Sequence, residues 1–204
     1  MTNKRGMLII FSGPSGCGKG TVLSRFLAER TDTVLSVSAT TRKPRPGDVD
    51  GVHYFFRTRE EFEQMIAANE LLEYAEYSGN YYGTPAPYVE ECLAAGKNVI
   101  LEIEVQGALK VMQTCPDHVS IFVGVPSIGE LERRLRGRGT EEEEVILRRM
   151  AAAKQELATA EKYQYLVIND DVDKAVLRLQ AILEAESLRY NRMKTNFMEV
   201  MNNA

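Results

Sequence analysis

The chain has 204 residues, with 25 basic against 29 acidic side chains and a net charge of −4. That length suits one α/β domain with small insertions and excludes a second full domain, and the near-even charge excludes the strong basic field of a nucleic-acid binder. No apolar run is long enough to span a bilayer, and Met1 to Gly6 leaves no space for a signal peptide before the first strand, so the expected setting is cytoplasmic with no membrane contact.

The apolar run Met7-Leu8-Ile9-Ile10-Phe11 predicts a first strand, and Thr21 to Leu27 has the pattern of a helix. Between them stand Gly13-Pro14-Ser15-Gly16-Cys17-Gly18-Lys19 and then Gly20 and Thr21. A strand, a glycine-rich loop and a helix in that order form a phosphate cradle. Glycines let backbone N–H groups turn inward, the helix N-terminus adds partial positive charge, and Lys19 can reach the β- and γ-phosphates of ATP or GTP. The alternative is a ligand-free turn, but an ammonium at a helix N-terminus is electrostatically misplaced unless an anion arrives. Gly13, Pro14, Ser15, Gly16, Cys17, Gly18, Lys19, Gly20 and Thr21 are therefore the expected ATP-binding segment. The common pattern puts a Ser or Thr directly after the lysine as a magnesium ligand. Gly20 occupies that place and Thr21 comes one residue late, so Mg2+ bound with ATP is expected to rest on phosphate oxygens and water.

Cys17, Cys92 and Cys115, with only His53 and His118 to join them, lack zinc spacing; free thiols and no protein-bound metal are expected. Cys92 reads as a small buried hydrophobe. Cys17 has two readings: a reactive thiolate favoured by Lys19 and the helix N-terminus, or an inert small side chain turned away from nucleotide.

Val34 to Ser38 predicts a second strand, followed by the turn Thr40-Thr41-Arg42-Lys43-Pro44-Arg45-Pro46-Gly47. Arg42 and Arg45 can grip a phosphate bidentately while Pro44 and Pro46 stiffen the loop; a basic solvated turn is the alternative. A short strand His53 to Phe56, a helix Arg59 to Asn69 and an extended aromatic run Leu72 to Tyr77 follow, and residues 40–82 read as an insertion between core strands. Pro85 suits the first turn of the next helix. Further strands are expected at Val99 to Val105, Val119 to Val125 and Tyr165 to Asn169. Ser127-Ile128-Gly129-Glu130 has the form of a capping box. Arg136-Gly137-Arg138-Gly139-Thr140 reads as a mobile loop hinged on glycines, a helical pattern runs from Glu141 to Lys162, and a final helix runs from Val172 to about Arg189. This alternation predicts an α/β fold, a parallel sheet with helices on both faces. Glu102 and Glu104, two apart at the C-terminal end of a core strand, should share a face on the ligand side of the sheet, with a structural ion pair as the alternative.

The phosphate loop, Ser38 to Gly47, Ser78-Gly79-Asn80-Tyr81-Tyr82-Gly83-Thr84, Arg136 to Thr140 and Val167-Ile168-Asn169-Asp170-Asp171 together resemble the guanylate kinase family over almost the whole chain. The resemblance implies a P-loop NTPase-type fold in one domain, with a core of residues 1–39, 83–136 and 145–204, a GMP-binding insertion of 40–82 and a lid of 137–144. It implies that Arg42, Arg45, Tyr54 and Tyr82 hold the GMP phosphate and that Ser38, Glu73 and Thr84 read guanine. The chemistry agrees, since guanine offers an N1–H and an amino group that one carboxylate can accept together, and adenine does not. It further implies that Glu102 and Glu104, where the family usually has aspartates, help position GMP, an arginine or hydrated magnesium, with no separate role assigned to each. Lys19, Arg134, Arg138 and Arg149 would converge on the transferring phosphoryl group, with Arg133, Arg136 and Arg148 as solvated neighbours. The expected reaction takes ATP and GMP, and likewise dGMP, to ADP and the diphosphate; another nucleoside monophosphate kinase and a non-catalytic guanylate-kinase-like binding module are the alternatives, and a homo-oligomer is compatible with the sequence.

Overall fold

The computed structural model describes residues 5–137 and 143–202. In chain order the elements are β1 (Leu8–Ser12), α1 (Lys19–Leu27), β2 (Thr33–Leu35), β3 (Ala39–Thr40), β4 (Phe55–Phe56), α2 (Arg59–Ala67), β5 (Leu71–Tyr77), β6 (Asn80–Pro85) and α3 (Ala86–Ala94). They continue with β7 (Asn98–Glu102), α4 (Val105–Thr114), β8 (His118–Gly124), α5 (Ile128–Arg136), α6 (Glu143–Leu157), β9 (Tyr165–Ile168), α7 (Val172–Ser187) and α8 (Tyr190–Asn202).

Five strands form a parallel sheet in the order β2-β7-β1-β8-β9. All five residues of β1 are buried, and their alternation feeds two separate cores. Ile9 and Phe11 pack with Val22, Leu23 and Phe26 of α1 and with Val176 and Leu179 of α7. Leu8 and Ile10 face the other way, onto Val89 and Leu93 of α3 and Ala108 and Val111 of α4. A sheet covered on both faces needs this continuous apolar run, which is why β1 shows no polar alternation. A smaller sheet, ordered β4-β3-β6-β5, stands beyond the C-terminal edge of the first, with β3 and β4 parallel and the other pairs antiparallel.

Several expected boundaries move. The second strand stops at Leu35, and residues 36–38 run irregularly toward the smaller sheet. The strand expected to reach Val105 ends at Glu102, because Glu104 turns out as the N-cap of α4. Glu102 and Glu104 are therefore not partners on one strand, although both open onto the same cavity. Helix α2 ends at Ala67, since Asn69 adopts φ 54 and breaks the helix, and its capping box is Thr58 with Glu61. At Ser127 only half of the expected box forms: Ser127 accepts the Glu130 N–H, while the Glu130 carboxylate goes to Arg133 and Arg134. Pro85 is the N-cap of α3 rather than a residue of its first turn. The helix expected to Lys162 ends at Leu157, with a short 3-10 turn at Ala160–Lys162. The helix expected from Val172 to about Arg189 is α7, which ends at Ser187, and a further helix, α8, follows it with no expectation attached. Arg138, Gly139 and Thr140 of the expected lid lie outside the described residues. No described helix is long and apolar enough to cross a membrane.

Candidate active site

The phosphate loop leaves β1 and closes at Gly18, the N-cap of α1, which has φ 89. A Cβ there would lie 2.5 Å from Asn169 Nδ2, so both the backbone angle and the close approach demand glycine. The loop is braced from below. Asn169 Nδ2 and Arg134 Nη1 both donate to Cys17 O, at 2.8 and 3.2 Å, and Arg134 Nη2 donates to Asn169 O at 2.9 Å. Arg134 Nε meets Glu130 at 2.7 Å, and the two arginines on Glu130 pull that carboxyl down to about 2. Every edge of the Arg134 fork is thus engaged with the loop's support.

Lys19 Nζ is folded back onto the loop, donating to Gly13 O at 2.5 Å and Pro14 O at 3.3 Å. Carbonyl dipoles hold the ammonium where an anion in the loop would lie against it. Cys17 is fully buried, and burial pushes its thiol above the ordinary value against the pull of Lys19. This corrects the reactive-thiolate reading: the side chain points into the core among Val22, Leu131 and Leu135. Cys92 and Cys115 are only partly buried, against the opposite core.

Beyond the loop lies a cavity of about 660 Å³ lined by Ser15, Tyr77, Glu104, Arg148, Arg149 and Glu156, among others. Arg149 Nη2 donates to Ser15 Oγ at 2.6 Å, tying α6 to the phosphate loop. Arg148, expected as a solvated neighbour, shares this wall. The half-buried Glu156 carboxyl is raised by burial and pulled back by Lys19, which places it in the field of the same cations.

A second cavity of about 300 Å³ joins the two sheets and brings together Ser38, Tyr54, Glu73, Tyr82, Glu102 and Glu104. Glu73 comes from β5, and its Oε1 accepts the Thr84 hydroxyl of β6 at 2.7 Å. Burial raises the Glu73 carboxyl, while Thr84 and Lys110 hold it down. Its other oxygen faces Gly107 of α4, where a Cβ would come within 2.7 Å of it. Gly107, Tyr77 and Asp48 are neighbours of the site that the sequence reading did not single out. A glycine inside the first turn of a helix, where alanine is preferred, was the available signal for Gly107.

At the rim, Arg42 lies over the Tyr54 ring at 5.2 Å and pairs with Asp48 at 2.9 Å, while Asp48 also accepts the Arg45 N–H at 2.8 Å. The Arg45 N–H and the Arg42 guanidinium lower the Asp48 carboxyl. Tyr54 and Tyr82 meet edge to face, 6.1 Å between centroids. Arg42 and Arg45 flank the cavity without lining it, and the Arg45 side chain is exposed. Glu104 and Tyr77 line both cavities, so the acceptor pocket and the phosphate loop open into one cleft.

A magnesium ion travelling with a nucleoside triphosphate fits the donors present. Among the described residues no group of three His, Cys, Asp or Glu side chains is placed to cage a metal. Glu102 is the carboxylate beside the loop, its Oε1 3.8 Å from where a Cβ on Gly20 would stand. One carboxylate with open space around it suits an ion that keeps most of its water.

The guanylate kinase family model matches residues 5–186. The chain belongs to the guanylate kinase family. It is 53% identical over 201 residues to a guanylate kinase of Halalkalibacterium halodurans, covering 98% of each chain. It is 51% identical to one from Lactococcus lactis over 198 residues, 97% of each. The crystal structure of guanylate kinase from Anaplasma phagocytophilum superposes with a TM-score of 0.72 at 34% identity, covering 94% of this chain and 92% of that one. Family membership carries with it the P-loop α/β fold described above.

Proposed function

We propose that the chain is an ATP:GMP phosphotransferase, converting ATP and GMP to ADP and GDP, and dGMP likewise. The observation that carries this reading is the single cleft in which the Glu73–Thr84 pocket opens toward the phosphate loop through Glu104 and Tyr77. In it, the Glu73 carboxylate accepts the guanine N1–H and amino group, the Ser38 hydroxyl donates to O6, and the Thr84 hydroxyl, whose one proton goes to Glu73 Oε1, holds that carboxylate in place for the base. Adenine offers neither of those donors, so the base-facing acceptor positions of the half-buried Glu73 carboxylate would go unpaired, which is a strong basis for rejection. Arg42, Arg45, Tyr54 and Tyr82 hold the GMP phosphate.

The inward N–H groups of the loop and Lys19 hold the triphosphate, with Arg134 and Asn169 keeping the loop in shape from below. Arg149, together with Arg138 from outside the described residues, stabilises charge on the equatorial oxygens of the moving phosphoryl group. A GMP phosphate oxygen forms the new P–O bond as the bond to the ADP bridging oxygen breaks, and ADP leaves with the electron pair. No catalytic base is needed, because the GMP phosphate, with a second pKa of about 6, is largely ionised at neutral pH. Magnesium accompanying the triphosphate would supply charge neutralisation at the β- and γ-oxygens, with Glu102 as the carboxylate beside the loop that would hold it. We place the activity in the cytoplasm, in purine nucleotide metabolism. Phosphorus NMR of ATP and GMP with the protein should show GDP and ADP appearing together; ATP hydrolysis alone, or no change, would overturn the reading.

A further inference from the structure

The turn that carries the two acceptor-side arginines closes around one carboxylate. In Arg45-Pro46-Gly47-Asp48 the proline stands second and the glycine third with φ 92, and the Asp48 N–H donates back to Arg45 O at 2.9 Å. That is the type II pattern, in which proline presets the second residue and glycine takes the third without steric cost. Closing the turn brings the Asp48 side chain back over its start. Its Oδ2 accepts both the Arg45 N–H at 2.8 Å and Arg42 Nη2 at 2.9 Å. One oxygen therefore ties the backbone of one arginine to the guanidinium of the other.

This tie differs from a solvated surface pair. The Arg42 and Asp48 side chains are only 15% and 18% exposed, so water screens them less than it does an ordinary exposed pair. The Arg42 guanidinium also lies over the Tyr54 ring at 5.2 Å and the Phe56 ring at 5.7 Å, and its Nη1 donates to Lys43 O at 2.9 Å. Phe56 is fixed in turn, its N–H donating to Asp50 at 2.7 Å. Of the five N–H bonds of a guanidinium, the two hydrogen bonds to Asp48 and Lys43 leave three, enough for a bidentate grip on a phosphate. Tyr54, the ring beneath the guanidinium, lines the acceptor cavity, so the fork is held behind that wall. An unheld arginine is among the side chains with most rotamer freedom to lose when a ligand orders it.

The geometry points to Asp48 as the positioning residue of the acceptor clamp: without touching GMP, it preorganises the Arg42 guanidinium and the Arg45 backbone so that both arginines close on the nucleotide's phosphate. The inference deepens the phosphoryl-transfer reading and rests on its assignment of Arg42 and Arg45 to that phosphate. A carboxylate also repels a phosphate, so two effects of Asp48 oppose each other. Orientation wins, because the repulsion acts across the intervening guanidinium, whereas the anchoring is by direct contact.

The test compares wild type with Asp48→Ala, Asp48→Asn, Arg42→Ala and the double variant Asp48→Ala/Arg42→Ala. GMP binding is measured by calorimetry, and binding of guanosine, which has the base without the phosphate, by NMR titration. Asp48→Ala should weaken GMP about tenfold or more and guanosine by less than about twofold. Its KM for GMP should rise while kcat and KM for ATP hold within about twofold. Asp48→Asn keeps an oxygen in place but no charge, and should fall between Asp48→Ala and wild type. Because Asp48 acts through Arg42, the loss in the double variant should be smaller than the product of the two single losses. An Asp48→Ala protein that binds GMP as wild type does or tighter, that loses guanosine as much as GMP, or whose loss multiplies fully with that of Arg42→Ala would overturn the assignment. Thermal unfolding identifies a variant that has failed to fold, in which case Asp48→Asn must itself show the GMP-selective loss for the assignment to stand. A wild type that bound guanosine as tightly as GMP would defeat the phosphate-clamp reading and this inference with it. A preference for GMP that is equal in wild type and Asp48→Ala would defeat this inference alone.

Discussion

Replacing Glu73 by glutamine keeps the shape of the side chain, removes its charge, and turns one of its two acceptor oxygens into a donor facing guanine donors. The Thr84 hydroxyl, now 2.7 Å from Oε1, can rotate to serve either atom, so the loss falls on the base and not on the protein's own contact. A hydrogen bond to a charged group is worth about 1.5–3 kcal/mol and about 1.4 kcal/mol is a factor of ten, so kcat/KM for GMP should fall about 10- to 150-fold. The fold should not suffer. Burial raises the Glu73 carboxyl, and a carboxyl whose folded pKa lies above its unfolded one loses stability as pH rises through that folded value. Glutamine does not titrate, so Tm at neutral pH should be no lower than that of wild type. Steady-state ADP release with GMP varied at saturating ATP, and the reverse, gives both numbers. An unchanged kcat/KM for GMP, or an equal loss in the use of ATP, would remove Glu73 from base reading.

Gly107→Ala should raise KM for GMP while leaving KM for ATP alone, because the new Cβ would come within 2.7 Å of Glu73 Oε2 and displace it; the same assay checks it. Arg42→Ala should chiefly raise KM for GMP, whereas Arg149→Ala should chiefly lower kcat, and a fall in ATP binding alone in both would contradict their assignment. The raised Glu73 carboxyl also sets a pH trend: the kcat/KM advantage of wild type over Glu73→Gln should shrink as pH falls, beginning above the ordinary carboxylate range, while the titration of the GMP phosphate cancels in the ratio. Cys17 should resist iodoacetamide in the native protein and react only on unfolding, as peptide mass spectrometry will show; fast labelling of the folded protein would contradict its burial.

The parallel sheet was legible because its strands are short apolar runs alternating with amphipathic helices, and β1 carries that signal without interruption. The phosphate loop was legible because its glycines and lysine occupy fixed positions between a strand and a helix. What the sequence hid was set by tertiary contact. Nothing local says that the strand through Glu102 must stop there, since Ile103-Glu104-Val105 continues the same alternation; the turn into α4 is what ends it. The residues around Cys17 could not decide between a reactive thiolate beside Lys19 and an inert side chain turned away; its burial in the core is a tertiary fact. Asp48 looked like an ordinary turn residue and instead ties Arg42 to the Arg45 backbone. Gly107 became visible only when β5 laid Glu73 across α4.

The most direct test of the account is one coupled assay of ADP release with ATP and Mg2+, run with GMP, dGMP, AMP, UMP and CMP as acceptors. GMP should be used best and dGMP comparably, since no ribose hydroxyl contact enters the argument, while AMP should fall behind by about 10⁴ in kcat/KM, as expected for a site whose buried polar groups are left unpaired. Comparable use of AMP, or ADP release that does not depend on any acceptor, would contradict it.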